Sequence, residues 1–100
     1  MTTLTNAELT KLNQLTSISV ERLDTAGNQI ILRDTANNLQ VFFSYNTKIA
    51  AKINNKVIIY PAYDYSRTTG KYRNMFLNEV KADTEKKLKL GTYLYIEKGK

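Results

Sequence analysis

The sequence predicts an α+β fold in a single domain that spans residues 1–100. Apolar residues recur at helical intervals near the N-terminus and again after Pro61. Between these two segments the apolar period changes to two, and turn residues follow one another at a spacing of about ten residues. A chain of 100 residues that is 42% apolar, with one proline and four glycines, suits one globular domain.

The first predicted element is a helix from about Asn6 to Leu15. Thr5 and Glu8 have the spacing of a capping box, in which each side chain binds the other residue's backbone N–H. Leu9 and Leu12 follow at helical intervals, so the helix has an apolar face.

An antiparallel meander of about five strands is predicted next. The alternation begins at Ser17, and Ala26 to Asn28, Asn37-Asn38 and Asn54-Asn55 mark turns. Asn54-Asn55 suits a two-residue hairpin because asparagine tolerates a positive φ. The remaining strands are Gln29 to Arg33, Leu39 to Tyr45, Lys48 to Ile53 and Lys56 to Tyr60.

Pro61 ends the meander because it cannot donate to a strand ladder. Ser66 or Thr68 then caps a second helix that we expect to run to about Lys81. The apolar stripe predicted to face the core consists of Tyr72, Met75, Phe76 and Val80. The polar stripe of the same helix consists of Arg67, Lys71, Asn74, Asn78 and Lys81.

The C-terminal segment is predicted to return to the sheet. Thr84 to Leu90 suits a short helical turn that stops at Gly91. Thr92 to Glu97 alternates, with Tyr93 and Tyr95 on one face, and therefore predicts a final strand.

The composition excludes several kinds of chemistry. The chain has no cysteine and no histidine, which removes disulfides, thiolate metal sites and the usual catalytic triads. We expect no cofactor. The polar N-terminus lacks a signal-peptide core, and no apolar run is long enough to span a bilayer, so we expect a cytoplasmic protein without membrane contact.

The net charge of +6 lies entirely in the second half of the chain. Residues 1–50 hold four cations and four anions, whereas residues 51–100 hold eleven cations and five anions. This asymmetry favours contact with nucleic acid or with an acidic partner surface. The alternative is a basic surface that only keeps the protein soluble.

The start of the second helix is the first candidate site. Free N–H groups and the positive end of the helix dipole attract anions there. The hydroxyls and cations that would assist are Ser66, Thr68, Thr69, Arg67, Lys71 and Arg73. The alternative is a plain helix cap beside a solvated face.

The seven tyrosines form the second candidate set. Aromatic rings among cations can stack on bases, and tyrosine also anchors protein interfaces. Packing in the core or at its rim is the alternative for most of them. Tyr63 and Tyr65, in the loop after Pro61, are the pair predicted to be exposed.

The third hypothesis is a metal-dependent nuclease. Glu85-Lys86-Lys87 and Asp64 supply the carboxylates, and such enzymes cluster carboxylates around Mg²⁺. The triplet falls in a predicted helix or loop instead of a strand, and three matching letters arise easily by chance in a lysine-rich chain.

Three segments carry a resemblance to known proteins: residues 43–50 (FSYNTKIA), residues 63–71 (YDYSRTTGK) and Phe76-Leu77. Together they resemble a group of small proteins encoded by phages, prophages and plasmids of low-GC bacteria. Tyr72 stands where members of that group often have histidine. The resemblance covers about a third of the chain and implies origin in a mobile genetic element. Small proteins of such elements often antagonise host defence, and anti-CRISPR proteins are among them.

These observations predict a non-enzymatic binding protein that antagonises a nucleic-acid-based host defence. Its expected partner is a host protein or a ribonucleoprotein, such as a CRISPR effector or its guide RNA, with direct RNA or DNA contact. The alternatives are a module that forms a homodimer through the edge strand Thr92 to Glu97, and the nuclease. The residues predicted to contact the partner are Ser66, Arg67, Thr68, Thr69, Lys71, Arg73, Lys81, Tyr63 and Tyr65.

Overall fold

A sheet with helices packed on both of its faces organises the chain, and the computed structural model describes residues 3–14 and 19–96. The predicted α+β fold is confirmed. The elements in chain order are α1 (Asn6–Asn13), β1 (Ser19–Arg22), β2 (Gln29–Asp34), β3 (Leu39–Ser44), β4 (Thr47–Ile53), β5 (Lys56–Ile59), α2 (Arg67–Leu77), α3 (Lys81–Lys89) and β6 (Leu94–Tyr95). Short 3-10 turns occupy Thr35–Asn37 and Pro61–Asp64.

The capping box predicted for α1 is present. The Thr5 hydroxyl accepts a hydrogen bond from the Glu8 N–H at 3.1 Å, and the Glu8 carboxylate accepts one from the Thr5 N–H at 2.9 Å. The helix ends at Asn13. Leu15, where we expected it to end, and residues 17–18 of the first strand lie outside the described residues.

Strands β1 to β5 form the predicted antiparallel meander, and their order in the sheet is their order in the chain. The Asn54-Asn55 turn is confirmed, with φ angles of 50° and 67°. Tyr45 and Asn46, at 51° and 66°, form a second turn of the same kind between β3 and β4. Positive φ at both central residues gives the twist that two-residue hairpins require, so β3 ends at Ser44 instead of continuing through Tyr45.

The two faces of the sheet bury separate apolar clusters. Leu12 of α1 packs against Leu39, Val41, Ala51, Ile53, Ile58 and Tyr60 on one face. On the opposite face Phe76 and Leu77 of α2 pack against Ile31, Phe42, Ile49, Ala50 and Ile59. A bulge opposite Phe42 and Phe43 leaves Ile49 without a partner on β3, which lets the consecutive residues Ile49 and Ala50 face the same cluster.

Helix α2 ends earlier than predicted and buries a different face. Asn78 adopts a left-handed conformation, with φ 56°, and this stops the helix after Leu77 instead of at Lys81. The predicted stripe is therefore wrong at Met75 and Val80, which are 56% and 58% exposed. The buried residues of α2 are Thr69, Arg73, Phe76 and Leu77, and Tyr72 is half-buried.

The return of the chain to the sheet is confirmed, but β6 pairs with β5 in parallel. The segment that carries α2 and α3 forms the crossover that a parallel pair needs. Helix α3 is longer than the short turn we predicted at Thr84 to Leu90, and it ends before Gly91, whose φ is 76°. Glu97 lies outside the described residues. Of the helices that the structure describes, none has the length and apolar character needed to cross a membrane.

Candidate nucleic-acid interface

The start of α2 is tied to the end of β3. Ser66 is the cap, since its hydroxyl accepts a hydrogen bond from the Thr69 N–H at 3.1 Å. The Thr69 side chain is buried, and its Oγ1 lies 2.8 Å from the buried Ser44 Oγ. We therefore remove Thr69 from the candidate interface, because its hydroxyl is used inside the protein. Ser66 is half-buried and Thr68 is exposed.

Arg73, which we expected to contact phosphate, is 1% exposed. Its Nη1 donates to the Tyr63 carbonyl at 2.7 Å, and its Nη2 donates to the Asn74 side chain at 2.9 Å. The Asp64 carboxylate lies 3.8 Å from Nη1. The guanidinium thus joins α2 to the 3-10 turn before it, and Arg73 also leaves the candidate interface.

Lys81 begins α3 and is exposed, yet its charge already has a partner. Its ammonium lies 2.6 Å from the Asp64 carboxylate. The hydrogen bond to Asp64 raises the pKa of Lys81. This pair joins α3 to the 3-10 turn, so Lys81 offers a ligand less charge than the sequence suggests.

Other lysines of the sheet are also engaged inside the protein. Lys48 donates to the Leu12 carbonyl at 3.1 Å, and Lys52 donates to the Phe76 carbonyl at 2.7 Å. Each therefore binds the C-terminal turn of a helix, where a cation is favourable. Burial lowers the pKa of both lysines. These two half-buried lysines therefore offer a ligand less charge than the sequence suggests.

Four exposed cations of the helical layer have no acidic or carbonyl partner within residues 3–14 and 19–96. They are Arg67 and Lys71 of α2 and Lys86 and Lys89 of α3. The spacing within each pair, four and three residues, places its members on one face of their helix. Lys71 also lies 5.3 Å from the centre of the Tyr72 ring.

An open groove of about 850 Å³ lies beside two of these cations. We call it the tyrosine groove, and it is lined by Tyr63, Ala82, Glu85, Lys86, Leu88, Lys89 and Tyr95. The Tyr63 and Tyr95 rings meet at 82° with centres 6.4 Å apart. The sequence analysis named Tyr95 among the seven candidate tyrosines and Lys86 in the nuclease triplet, but it predicted neither as a partner contact, and it did not single out Lys89.

Glu85 fixes one wall of the tyrosine groove. Its carboxylate accepts a hydrogen bond from the Tyr63 hydroxyl at 3.1 Å. Burial and this hydrogen bond raise the pKa of Tyr63. Tyr63 is therefore held in place and half-buried, whereas Tyr65 is 74% exposed, outside the groove.

A polar cluster around Glu79 positions β6. The Glu79 carboxylate lies 2.6 Å from the Lys87 ammonium and accepts from the Tyr93 hydroxyl at 2.8 Å. Burial disfavours the charged form of Glu79, but hydrogen bonds from Lys87, Thr84 and Tyr93 outweigh it and lower the pKa. This cluster links the α2–α3 loop, α3 and the segment that begins β6.

Residues 43–50 and residues 63–71 are neighbours in space. Besides the contact between Ser44 and Thr69, they share a pocket of about 150 Å³. It is lined by Ser44, Tyr45, Thr47, Ile49, Ala62 and Tyr65.

The carboxylates that the nuclease hypothesis requires accept hydrogen bonds from other side chains of the protein. Asp64 accepts from Lys81, and Glu85 accepts from Tyr63. Over residues 3–14 and 19–96 there is no group of three or more acidic side chains that could hold a metal ion.

Comparison with known proteins gives a family but no activity. No curated protein and no solved structure matches the chain significantly. The model of a family of unknown function, DUF8033, matches residues 10–92. Because this match covers most of the chain, the protein belongs to the DUF8033 family.

Proposed function

We propose that the protein is a non-enzymatic module that binds nucleic acid, free or within a ribonucleoprotein. The observation that carries the proposal is the tyrosine groove, where Tyr63 and Tyr95 lie beside the exposed Lys86 and Lys89. Aromatic rings among cations are the combination with which proteins hold nucleotide strands.

The cations of the helical layer supply the electrostatic part of the binding. Two helices, α2 and α3, cover one face of the sheet, and the four exposed cations project from them: Arg67, Lys71, Lys86 and Lys89. Their contact with phosphates would release counterions, so the affinity should fall steeply with salt. Neither Arg73 nor Lys81 is needed for this contact.

Fluorescence anisotropy with a labelled oligonucleotide at low salt tests the proposal. The double variant Lys86→Ala/Lys89→Ala should bind at least about tenfold more weakly, because two phosphate contacts are lost. Lys11→Ala/Arg22→Ala removes the same charge from α1 and β1 and should retain most of the affinity. Equal losses in the two variants would show a general charge effect and contradict the proposed surface.

The resemblance to proteins of mobile elements supports a role in antagonising host defence. In this role the module would act in the host cytoplasm, by occupying a nucleic-acid surface or by contacting an effector such as a CRISPR ribonucleoprotein. A pull-down from bacteria with an active defence system should recover such an effector or its RNA. Recovery of neither, from cells where the effector is abundant, would contradict this role.

Self-association is the second candidate, because β6 forms one edge of the described sheet. An unpaired edge can pair with a second copy. Light scattering over a range of concentrations should then show a dimer, and a monomeric mass at high concentration would exclude it.

A further inference from the structure

We propose that the ligand is single-stranded and that one unpaired base enters the tyrosine groove to stack on Tyr95. The inference rests on the proposed function and names the class of nucleic acid. In a duplex each base is stacked and paired, so its faces are not available to a side chain unless the base is extruded. A base of a single strand can lie on an aromatic ring directly.

The two rings form a corner in which one wall is fixed. Tyr63 is held by its hydrogen bond to Glu85, and the Arg73 guanidinium carbon lies 5.8 Å from the centre of its ring. Tyr95 meets it nearly at a right angle and is 42% exposed. A planar group that stacks on Tyr95 would therefore lie in the same groove as the fixed Tyr63 ring.

The charges that line the groove favour one place for the base and another for the phosphates. Glu85 lines the groove and places a carboxylate beside Tyr63, which disfavours a phosphate at that point. Lys86 and Lys89 also line the groove and are exposed, so they can meet phosphates from its rim. This arrangement favours a base inside the groove and the strand's backbone along α3.

The backbone at Tyr95 is held in place before any ligand binds. The Tyr93 hydroxyl is bound to Glu79, and the Ile96 N–H donates to the Ile59 carbonyl at 2.9 Å. Tyr95 thus lies between two anchored residues. A backbone that is ordered before binding loses little conformational freedom in the complex, which favours affinity.

Affinities for a single-stranded oligonucleotide and for a duplex of equal length test the inference. The wild-type protein should prefer the single strand. Tyr95→Leu should weaken single-strand binding about tenfold, because base stacking on an aromatic ring is lost. Tyr95→Phe should keep the affinity since it keeps the ring. Tyr45→Asn, which removes a tyrosine of similar exposure in the β3–β4 turn, is the matched control.

A fluorescent base gives a measurement on the wild-type protein alone, so the result does not depend on whether the variants fold. A single strand that carries 2-aminopurine should lose fluorescence when the wild-type protein binds it. An unchanged fluorescence in the complex, or equal affinity for duplex and single strand, would overturn the inference. If Lys86→Ala/Lys89→Ala still weakened binding in that case, the proposed function would stand. Binding of neither nucleic acid at low salt would overturn both.

Discussion

The Oγ of Ser44, the last residue of β3, lies 2.8 Å from the Oγ1 of Thr69 in the first turn of α2. Both side chains are buried. The contact joins β3 to the start of α2, and each hydroxyl supplies the other with a buried hydrogen-bond partner.

Thr69→Val should lower the free energy of unfolding by about 1–3 kcal/mol, since it leaves the Ser44 hydroxyl buried without this partner. Urea denaturation measures the change. Thr68→Val makes the same substitution at the exposed neighbouring position and should be nearly neutral. Equal stability of the two variants would contradict a structural role for Thr69.

Arg73→Ala should destabilise the protein by about 1–3 kcal/mol, because the Tyr63 carbonyl loses the hydrogen bond that the buried guanidinium donates. Arg67→Ala removes an exposed cation six residues earlier on α2 and should leave the stability within about 0.5 kcal/mol. Thermal unfolding distinguishes the two. A stable Arg73→Ala protein that binds nucleic acid poorly would return Arg73 to the interface.

Tyr45→Asn should stabilise the protein by about 1 kcal/mol. Tyr45 has a φ of 51°, a region that bulky side chains rarely occupy and that asparagine tolerates. Its side chain is 48% exposed, so the substitution removes little packing. Denaturant unfolding would show the gain, and a loss of stability would mean that the Tyr45 ring contributes more than its backbone costs.

The free energy of unfolding should fall in acid because the Glu8 carboxylate becomes protonated. Its carboxylate accepts hydrogen bonds from Lys56, the Thr5 N–H and Asn54, which lower its pKa from 4.5 to about 2. Because the folded pKa is the lower one, the stabilisation is complete above pH 4.5 and is lost as the pH falls towards 2.

Unfolding free energies between pH 6 and pH 2 test this prediction. Glu8→Gln should be less stable than the wild type at pH 6, and the difference should shrink in acid. Some acid dependence should remain in the variant, since the pKa of Glu79 is also lowered. A difference that stays constant with pH would contradict the role of the Glu8 charge.

The sequence predicted the elements that have local causes. The capping box at Thr5 and Glu8 and the Asn54-Asn55 turn depend on residues close together in the chain, and both are present. The end of α2 at Asn78 was missed, because asparagine in the middle of a polar stripe is compatible with a continuing helix. The parallel pairing of β6 depends on the whole crossover and leaves no local pattern.

The candidate interface was only partly predictable for a similar reason. Charge and hydroxyl content selected the start of α2, but burial depends on which face of the helix meets the sheet. Arg73 lies on the same face as Phe76 and Leu77, so its charge is turned inward. The pattern of apolar residues alone does not show that Arg73 is buried. It also does not show that Tyr63, Tyr95 and α3 line one groove.

The salt dependence of single-strand binding tests the central claim most directly. If Arg67, Lys71, Lys86 and Lys89 meet phosphates, the logarithm of the binding constant should fall against the logarithm of salt concentration with a slope of about −3. Lys86→Ala/Lys89→Ala should reduce that slope by about half, whereas Lys11→Ala/Arg22→Ala should leave it unchanged. A slope near zero, or one that the Lys86 and Lys89 substitutions do not alter, would contradict nucleic-acid binding by this face.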